Sequence, residues 1–128
     1  MKKLLALLAT GAFAATVFAG EFPDVSIAEV KDAIAAKKAT IIDVNGSKSY
    51  AKGRVPTAID YATVKGKLAS ALPKDKNALV IAYCGGPSCK AYQAAATEAE
   101  KLGYKNVKHM SAGISGWIQA NEKTEKTN

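Results

Sequence analysis

Two cysteines, Cys84 and Cys89, are the only thiols in a chain of 128 residues. They bracket a loop of small residues, Cys84-Gly85-Gly86-Pro87-Ser88-Cys89-Lys90, that follows the apolar run Ala78–Tyr83 and precedes an alanine-rich segment. A thiolate is the nucleophilic form of cysteine, and it is favoured near a helix N-terminus or a lysine. Gly85 and Gly86 let the backbone bend tightly and turn several N–H groups inward as a nest for an anion. Pro87 stiffens the turn, Ser88 opens the expected helix, and Lys90 adds a positive charge at the rim. These residue types suit an activated sulfur at Cys84 facing an anionic substrate. The plainer reading is a strand-to-helix turn in which a buried cysteine acts as a small hydrophobe. Cys89 either packs at the start of the helix or resolves an oxidised Cys84 by thiol–disulfide exchange. A lone CxxxxC with no nearby histidine matches no four-ligand zinc pattern, so no metal or other cofactor is expected.

The elements that must hold this loop alternate in type. Ser26-Ile27-Ala28-Glu29 has capping-box spacing, and Ile27, Val30, Ala33 and Ile34 mark one helical face to about Lys37. A β-branched strand follows at 40–44, then a turn at 45–47 and one helical turn over 47–52. A short strand is expected at 58–60, a helix over 63–71, and a strand at 78–83 with no polar alternation. A helix over 88–102 ends at Gly103, which suits a C-terminal cap. A strand at 107–110 and a helix over 114–121 complete the series. This order predicts an α/β domain with a central, largely parallel sheet and helices on both faces. Ligands of such sheets bind beyond the carboxyl ends of the strands, where Cys84 and Asp43 both fall. Asp43 is expected either to fix the loop by accepting backbone hydrogen bonds or to cap a turn. His109, the only histidine, is expected to be structural or at the surface rather than a catalytic base. Trp117, Tyr50 and Tyr83 read as core or wall residues.

The chain opens MKKLLALLATGAFAATVFAG. A positive start, a charge-free run and Val17-Phe18-Ala19 fit a secretory signal peptide over 1–19, cleaved after Ala19. That run is short for a membrane span. A periplasmic or secreted protein without a lasting membrane anchor is therefore expected. Residues 20–121 form one domain, and 122–128 a polar tail expected to fray. The net charge of +7 falls to +5 once Lys2 and Lys3 are removed. The lysines are scattered, and no basic stripe with interleaved aromatics points to nucleic acid.

From about Val25 to Ala120 the chain resembles a single rhodanese-like domain. Ile42-Asp43-Val44-Asn45 is similar to the family's [ILV]-D-V-R strand end, and Ser49-Tyr50-Ala51-Lys52-Gly53-Arg54-Val55-Pro56-Thr57-Ala58 to its E-Y-x-x-G-H-I-P-G-A stretch. Ile81-Ala82-Tyr83-Cys84 leads into a segment like the family's active-site loop, and Ala112-Gly113-Ile114-Ser115-Gly116-Trp117 is similar to G-G-x-x-x-W. The resemblance implies a sulfurtransferase in which Cys84 holds sulfane sulfur as a persulfide. It would take the sulfur from a small anionic donor such as thiosulfate and pass it to cyanide, a thiol or a protein acceptor. Residues 85–90 would surround the persulfide, with Asp43 and Arg54 in support. The family's arginine after Asp-Val is Asn45 here, its histidine is Arg54, the glycine after proline is Thr57, and the loop's usual terminal arginine is Lys90. Two other readings stay open: a thiol–disulfide protein using the Cys84/Cys89 pair, and a non-catalytic binding module of the same fold with a buried, unreactive Cys84.

Overall fold

The computed structural model describes residues 22–128. The N-terminal run and its expected cleavage point lie outside the described residues. Four strands, β1 (Ala39–Asp43), β2 (Ile59–Asp60), β3 (Leu79–Tyr83) and β4 (Asn106–His109), form one parallel sheet in the order β2-β1-β3-β4. Parallel neighbours need crossovers, and helices supply them. The helices are α1 (Ile27–Ala35), α2 (Ser47–Lys52), α3 (Tyr61–Val64), α4 (Tyr92–Lys101) and α5 (Gly113–Gln119). The sheet is therefore covered on both faces, as its unbroken apolar strands require.

Successive strand residues point to opposite faces, and the core divides accordingly. Ile42, Val80, Ala82 and Val107 pack with Tyr61, Leu68 and the α4 residues Tyr92, Ala95, Ala96 and Ala99. Ile41, Ile81 and Tyr83 pack on the other side with Val30 of α1, Val55, Met110 and Trp117 of α5. The three buried alanines of α4 let that helix sit close to the sheet. Ser26 and Glu29 form the capping box that starts α1, and Gly103, at φ +97°, follows α4 in the left-handed conformation anticipated for its cap.

Two expectations away from the cysteine loop differ. The helix anticipated over 63–71 is broken into α3 and a 3-10 turn at Leu68–Ser70, with Gly66 between them at φ +79°. The carboxylate of Glu98 on α4 sets that break. It accepts hydrogen bonds from the N–H groups of Gly66 (3.1 Å) and Leu68 (3.0 Å) and from the Tyr61 hydroxyl (2.7 Å). Burial and this hydrogen bond push Tyr61 up to about 12. The second difference is the 122–128 tail, which docks instead of fraying. Arg54 and Glu125 exchange backbone hydrogen bonds, Thr127 N–H donates to the Ala51 carbonyl, and Trp117 Nε1 donates to the Lys123 carbonyl at 2.7 Å. Glu122 pairs with Lys31 at 3.0 Å.

His109 is structural, as anticipated. It ends β4, is buried, and stacks on Tyr92 with ring centroids 3.4 Å apart. Its Nε2 has no hydrogen-bond partner among the described residues. Burial lowers its pKa, partly offset by Asp24. A base held below its unfolded value of 6.5 adds stability that is complete above that pH and lost as pH falls through the lowered folded value. His109→Phe keeps a stacked ring without the titration. Its urea midpoint should therefore change less than that of the parent between about pH 8 and about pH 5; an equal change in both would assign the acid sensitivity elsewhere.

Thr57 carries a φ of +73°, with its N–H bonded to Glu125 Oε1 at 2.9 Å. Its Cβ is unfavourable there, and β-branching adds to the strain. Thr57→Gly keeps the N–H and relieves the strain, so it should stabilise the domain by about 1 kcal/mol in urea denaturation.

Candidate active site

Cys84 follows the last residue of β3, which has a strand on each side, and is only 1% exposed. Gly86 to Cys89 form a turn, with the Cys89 N–H donating to the Gly86 carbonyl at 3.0 Å. Proline at the second position of that turn supplies the φ that it needs. The turn carries Cys89 back beside Cys84, so that their Cα atoms lie 6.2 Å apart and the two sulfurs are joined in a disulfide. This separation lies within the ordinary range for such a bond. Helix α4 begins only at Tyr92, not at Ser88, because residues 86–89 are committed to the turn. Ser88 therefore lies on the loop and caps nothing. Pro87, Ser88 and Lys90 are exposed and Cys89 is half-buried.

Gly85 and Gly86 are not among the glycines at positive φ. The residue that needs to be glycine is Gly113, at φ +64°, where a Cβ would lie 2.5 Å from Gly85 C and Gly86 N. Start of α5 and loop thus touch backbone to backbone. The contact is held by Ile114 N–H donating to the Cys84 carbonyl (3.0 Å) and Ser115 N–H to the Gly85 carbonyl (2.9 Å). Inside the loop, the N–H groups of Gly85, Gly86, Ser88 and Lys90 donate to no protein acceptor among the described residues. Such a run of unspent donors is a setting for an anion.

Asp43 is buried, and its hydrogen bonds go to Asn45 and Tyr83 rather than to the 84–90 loop. Its Oδ1 accepts from the Asn45 N–H at 2.8 Å, and its Oδ2 from the Tyr83 hydroxyl at 2.5 Å. Tyr83 Oη in turn accepts from the Val55 N–H at 3.0 Å. Asp43 therefore caps its own turn and ties the ends of β1 and β3 to the segment before β2. Burial raises its pKa, against the lowering pull of the bonds from Tyr83 and Asn45. The Tyr83 phenol is held well above its usual range by burial and by Asp43.

Arg54 does not join the cysteines. Its guanidinium lies 4.1 Å over the Tyr50 ring and donates to the Tyr50 carbonyl (3.1 Å) and to Thr127 Oγ1 (2.8 Å). Asn45 does lie against the loop. Its Oδ1 is 3.8 Å from where a Cβ on Gly85 would sit, and its Nδ2 is buried without a partner among the described residues. No cluster of metal-ligating side chains occurs among the described residues.

The model of the rhodanese-like domain matches residues 26–120. The chain belongs to the rhodanese-like domain family. Among solved structures, the BH2092 protein of Bacillus halodurans is 28% identical, with a TM-score of 0.71 over 82% of this chain and 77% of that one. The human single-domain sulfurtransferase TSTD1 is 20% identical, with a TM-score of 0.61 over 77% of this chain and 97% of that one. A thiosulfate sulfurtransferase of Pseudomonas aeruginosa is 22% identical, with a TM-score of 0.71 over 86% of this chain but 20% of that one. The last two likenesses concern the fold alone. No curated protein sequence matches the chain. The rhodanese-like architecture explains why the anticipated motifs are spread along the sequence: they are the strand ends and crossovers around one loop.

Gly113, Ser115 and Tyr83 were not singled out as site residues by their types. Gly113 and Ser115 lie inside the stretch that resembles G-G-x-x-x-W, and Tyr83 is the one polar-tipped residue in an aliphatic strand. Gly113→Ala places a Cβ against the Gly85–Gly86 peptide and in a disfavoured φ. It should cost about 3 kcal/mol of stability and free the loop, seen as a lower denaturation midpoint and faster proteolysis between residues 84 and 91. A midpoint equal to that of the parent would show that the loop yields without cost.

Proposed function

We propose that this rhodanese-like domain is a sulfurtransferase that carries sulfane sulfur on Cys84. The observation that carries the reading is the placement of Cys84 at the carboxyl end of β3, in a loop whose N–H groups at Gly85, Gly86, Ser88 and Lys90 donate to no protein acceptor among the described residues. Those donors, with the exposed Lys90 ammonium, suit an anionic donor such as thiosulfate and the persulfide it leaves behind. The Cys84 thiolate attacks the outer sulfur of thiosulfate. The S–S bond of the donor breaks, and sulfite leaves with the electron pair. A thiolate or cyanide then attacks the outer sulfur of the Cys84 persulfide, and the Cys84 thiolate departs. Lys90 is a point charge on a flexible stem rather than the two-pronged clamp an arginine makes. The loop amides therefore carry more of the recognition.

The disulfide with Cys89 withdraws the nucleophile, so in this reading the bonded pair is an oxidised resting form that a thiol must open first. The same bonded pair favours a second reading, a thiol–disulfide protein that passes its disulfide to a partner dithiol. Export to a periplasmic or extracellular space, where disulfides persist, fits both readings. Cyanide, a small thiol or a protein thiol would serve as the sulfur acceptor.

Intact mass after thiosulfate treatment separates the readings. Prereduced Cys89→Ser should gain one sulfur, the Cys84→Ser variant none, and the oxidised parent none until reduced, because a serine hydroxyl and a disulfide both lack the thiolate. Sulfur uptake by Cys84→Ser would reject Cys84 as the carrier. A prereduced protein that only loses two hydrogens and never takes up sulfur, with or without Cys89, would leave the redox reading standing alone.

A further inference from the structure

The bonded Cys84–Cys89 pair has a consequence for the fate of the sulfur that Cys84 receives. The turn from Gly86 to Cys89 holds the second sulfur where it reaches the Cys84 Sγ itself. Both cysteines lie in one loop, five residues apart, and the loop is anchored by α5 through Ile114 and Ser115. Once Cys84 carries a persulfide, a Cys89 thiolate in this position faces the inner sulfur. The outer, sulfane sulfur lies farther along the S–S bond. Attack on the inner sulfur ends in the disulfide that the structure contains.

We infer that the domain has a second activity, the reductive release of sulfane sulfur as hydrosulfide, with Cys89 as its internal reductant. The inference rests on the sulfur-carrying role proposed for Cys84. Cys89 loses its proton to solvent, and its thiolate attacks the Cys84 Sγ. The bond between Cys84 Sγ and the sulfane sulfur breaks, and the bond between Cys84 Sγ and Cys89 Sγ forms. The sulfane sulfur leaves with the electron pair of the broken bond, as hydrosulfide. It is reduced by two electrons, and the two cysteine sulfurs together are oxidised by two. An external thiol or dithiol supplies two electrons to reopen the pair. It meets the half-buried Cys89 before the buried Cys84, so its thiolate attacks Cys89 Sγ and expels the Cys84 thiolate. The resulting mixed disulfide on Cys89 is cleared by a second thiol equivalent. Over a full cycle, thiosulfate and two thiols become sulfite, hydrosulfide and one disulfide.

This path differs from sulfur transfer in what the acceptor receives. In transfer, the acceptor leaves with the sulfur. In reductive release, the thiol supplies only electrons, and the sulfur departs as a free anion from a loop whose backbone donors favour anions.

The experiment is a single turnover of prereduced, desalted full-length protein with thiosulfate and no added thiol. Sulfite, sulfide, free thiols and intact mass are followed together. The parent protein should release one sulfite and one sulfide, lose both thiols and end with the mass of the disulfide. Cys89→Ser and Cys89→Ala should release sulfite, keep the added sulfur on Cys84 and release sulfide at least about tenfold more slowly, since the exchange partner is gone. The thiol and sulfide count on the parent needs no variant, so a misfolded substitution does not decide the outcome. If the parent holds its sulfur as long as Cys89→Ser does, the inference is overturned while the carrier role of Cys84 stands. Sulfur found on Cys89 by peptide mass mapping would also overturn it, in favour of a relay between the two cysteines. If neither the parent nor the Cys89 variants take up sulfur or release sulfite, the carrier role fails and the inference fails with it.

Discussion

The contact on which the rest of the site depends is one between two stretches of backbone. Gly113 and the Gly85–Gly86 peptide approach so closely that a single Cβ would part them. The approach allows the start of α5 to donate two hydrogen bonds to the carbonyls of Cys84 and Gly85. With those carbonyls spoken for, the loop is fixed from outside, and of its own N–H groups only that of Cys89 donates to a carbonyl within the loop. The α5 helix thus anchors the loop from outside, alongside the disulfide that closes it from within.

Behind the loop lies a buried polar chain, Val55 N–H to Tyr83 to Asp43 to Asn45 N–H. A carboxyl in an apolar interior is costly unless its lone pairs are met. Here they are met by groups from β3 and from the Asn45 turn. Asp43 and Tyr83 are register partners on adjacent strands. The bond between them therefore fixes the ends of β1 and β3 relative to each other, next to the point where Cys84 emerges. Its link to the loop runs through the strand ends rather than through a direct hydrogen bond.

Much of this was legible in the sequence because the signals were local or periodic. Unbroken apolar strands and alternating helices pointed to a covered parallel sheet. The Gly-Pro turn between the cysteines marked a tight loop. What could not be read was pairing across long separations. Nothing in Lys65-Gly66-Lys67 announces that Glu98, on a helix some thirty residues later, will gather the N–H groups of Gly66 and Leu68 and break the expected helix. The tail EKTEKTN is polar by composition, yet its Glu125 backbone finds an unpaired partner at Arg54. Arg54 itself, in a stretch that resembles a family motif, serves the tail rather than the cysteine. The start of α4 was misplaced for a local reason, since the turn that unites the two cysteines uses the residues that would otherwise have been its first turn.

The docked tail gives the domain an uneven response to mechanical load. At one end the chain is held by the bridge of Asp24 with His109, and at the other by that of Arg54 with Glu125. Each is one residue wide, whereas β1 and β3 are joined along five register pairs. Tension on the two ends would reach these narrow seams first and peel them one bond at a time, while the β1–β3 pairing would be strained in shear only afterwards. The loop with Cys84 hangs from β3 and α5, inside the part that gives way later. The outer seams would act as a fuse, letting the ends of the described domain be pulled while the cysteine loop stays assembled.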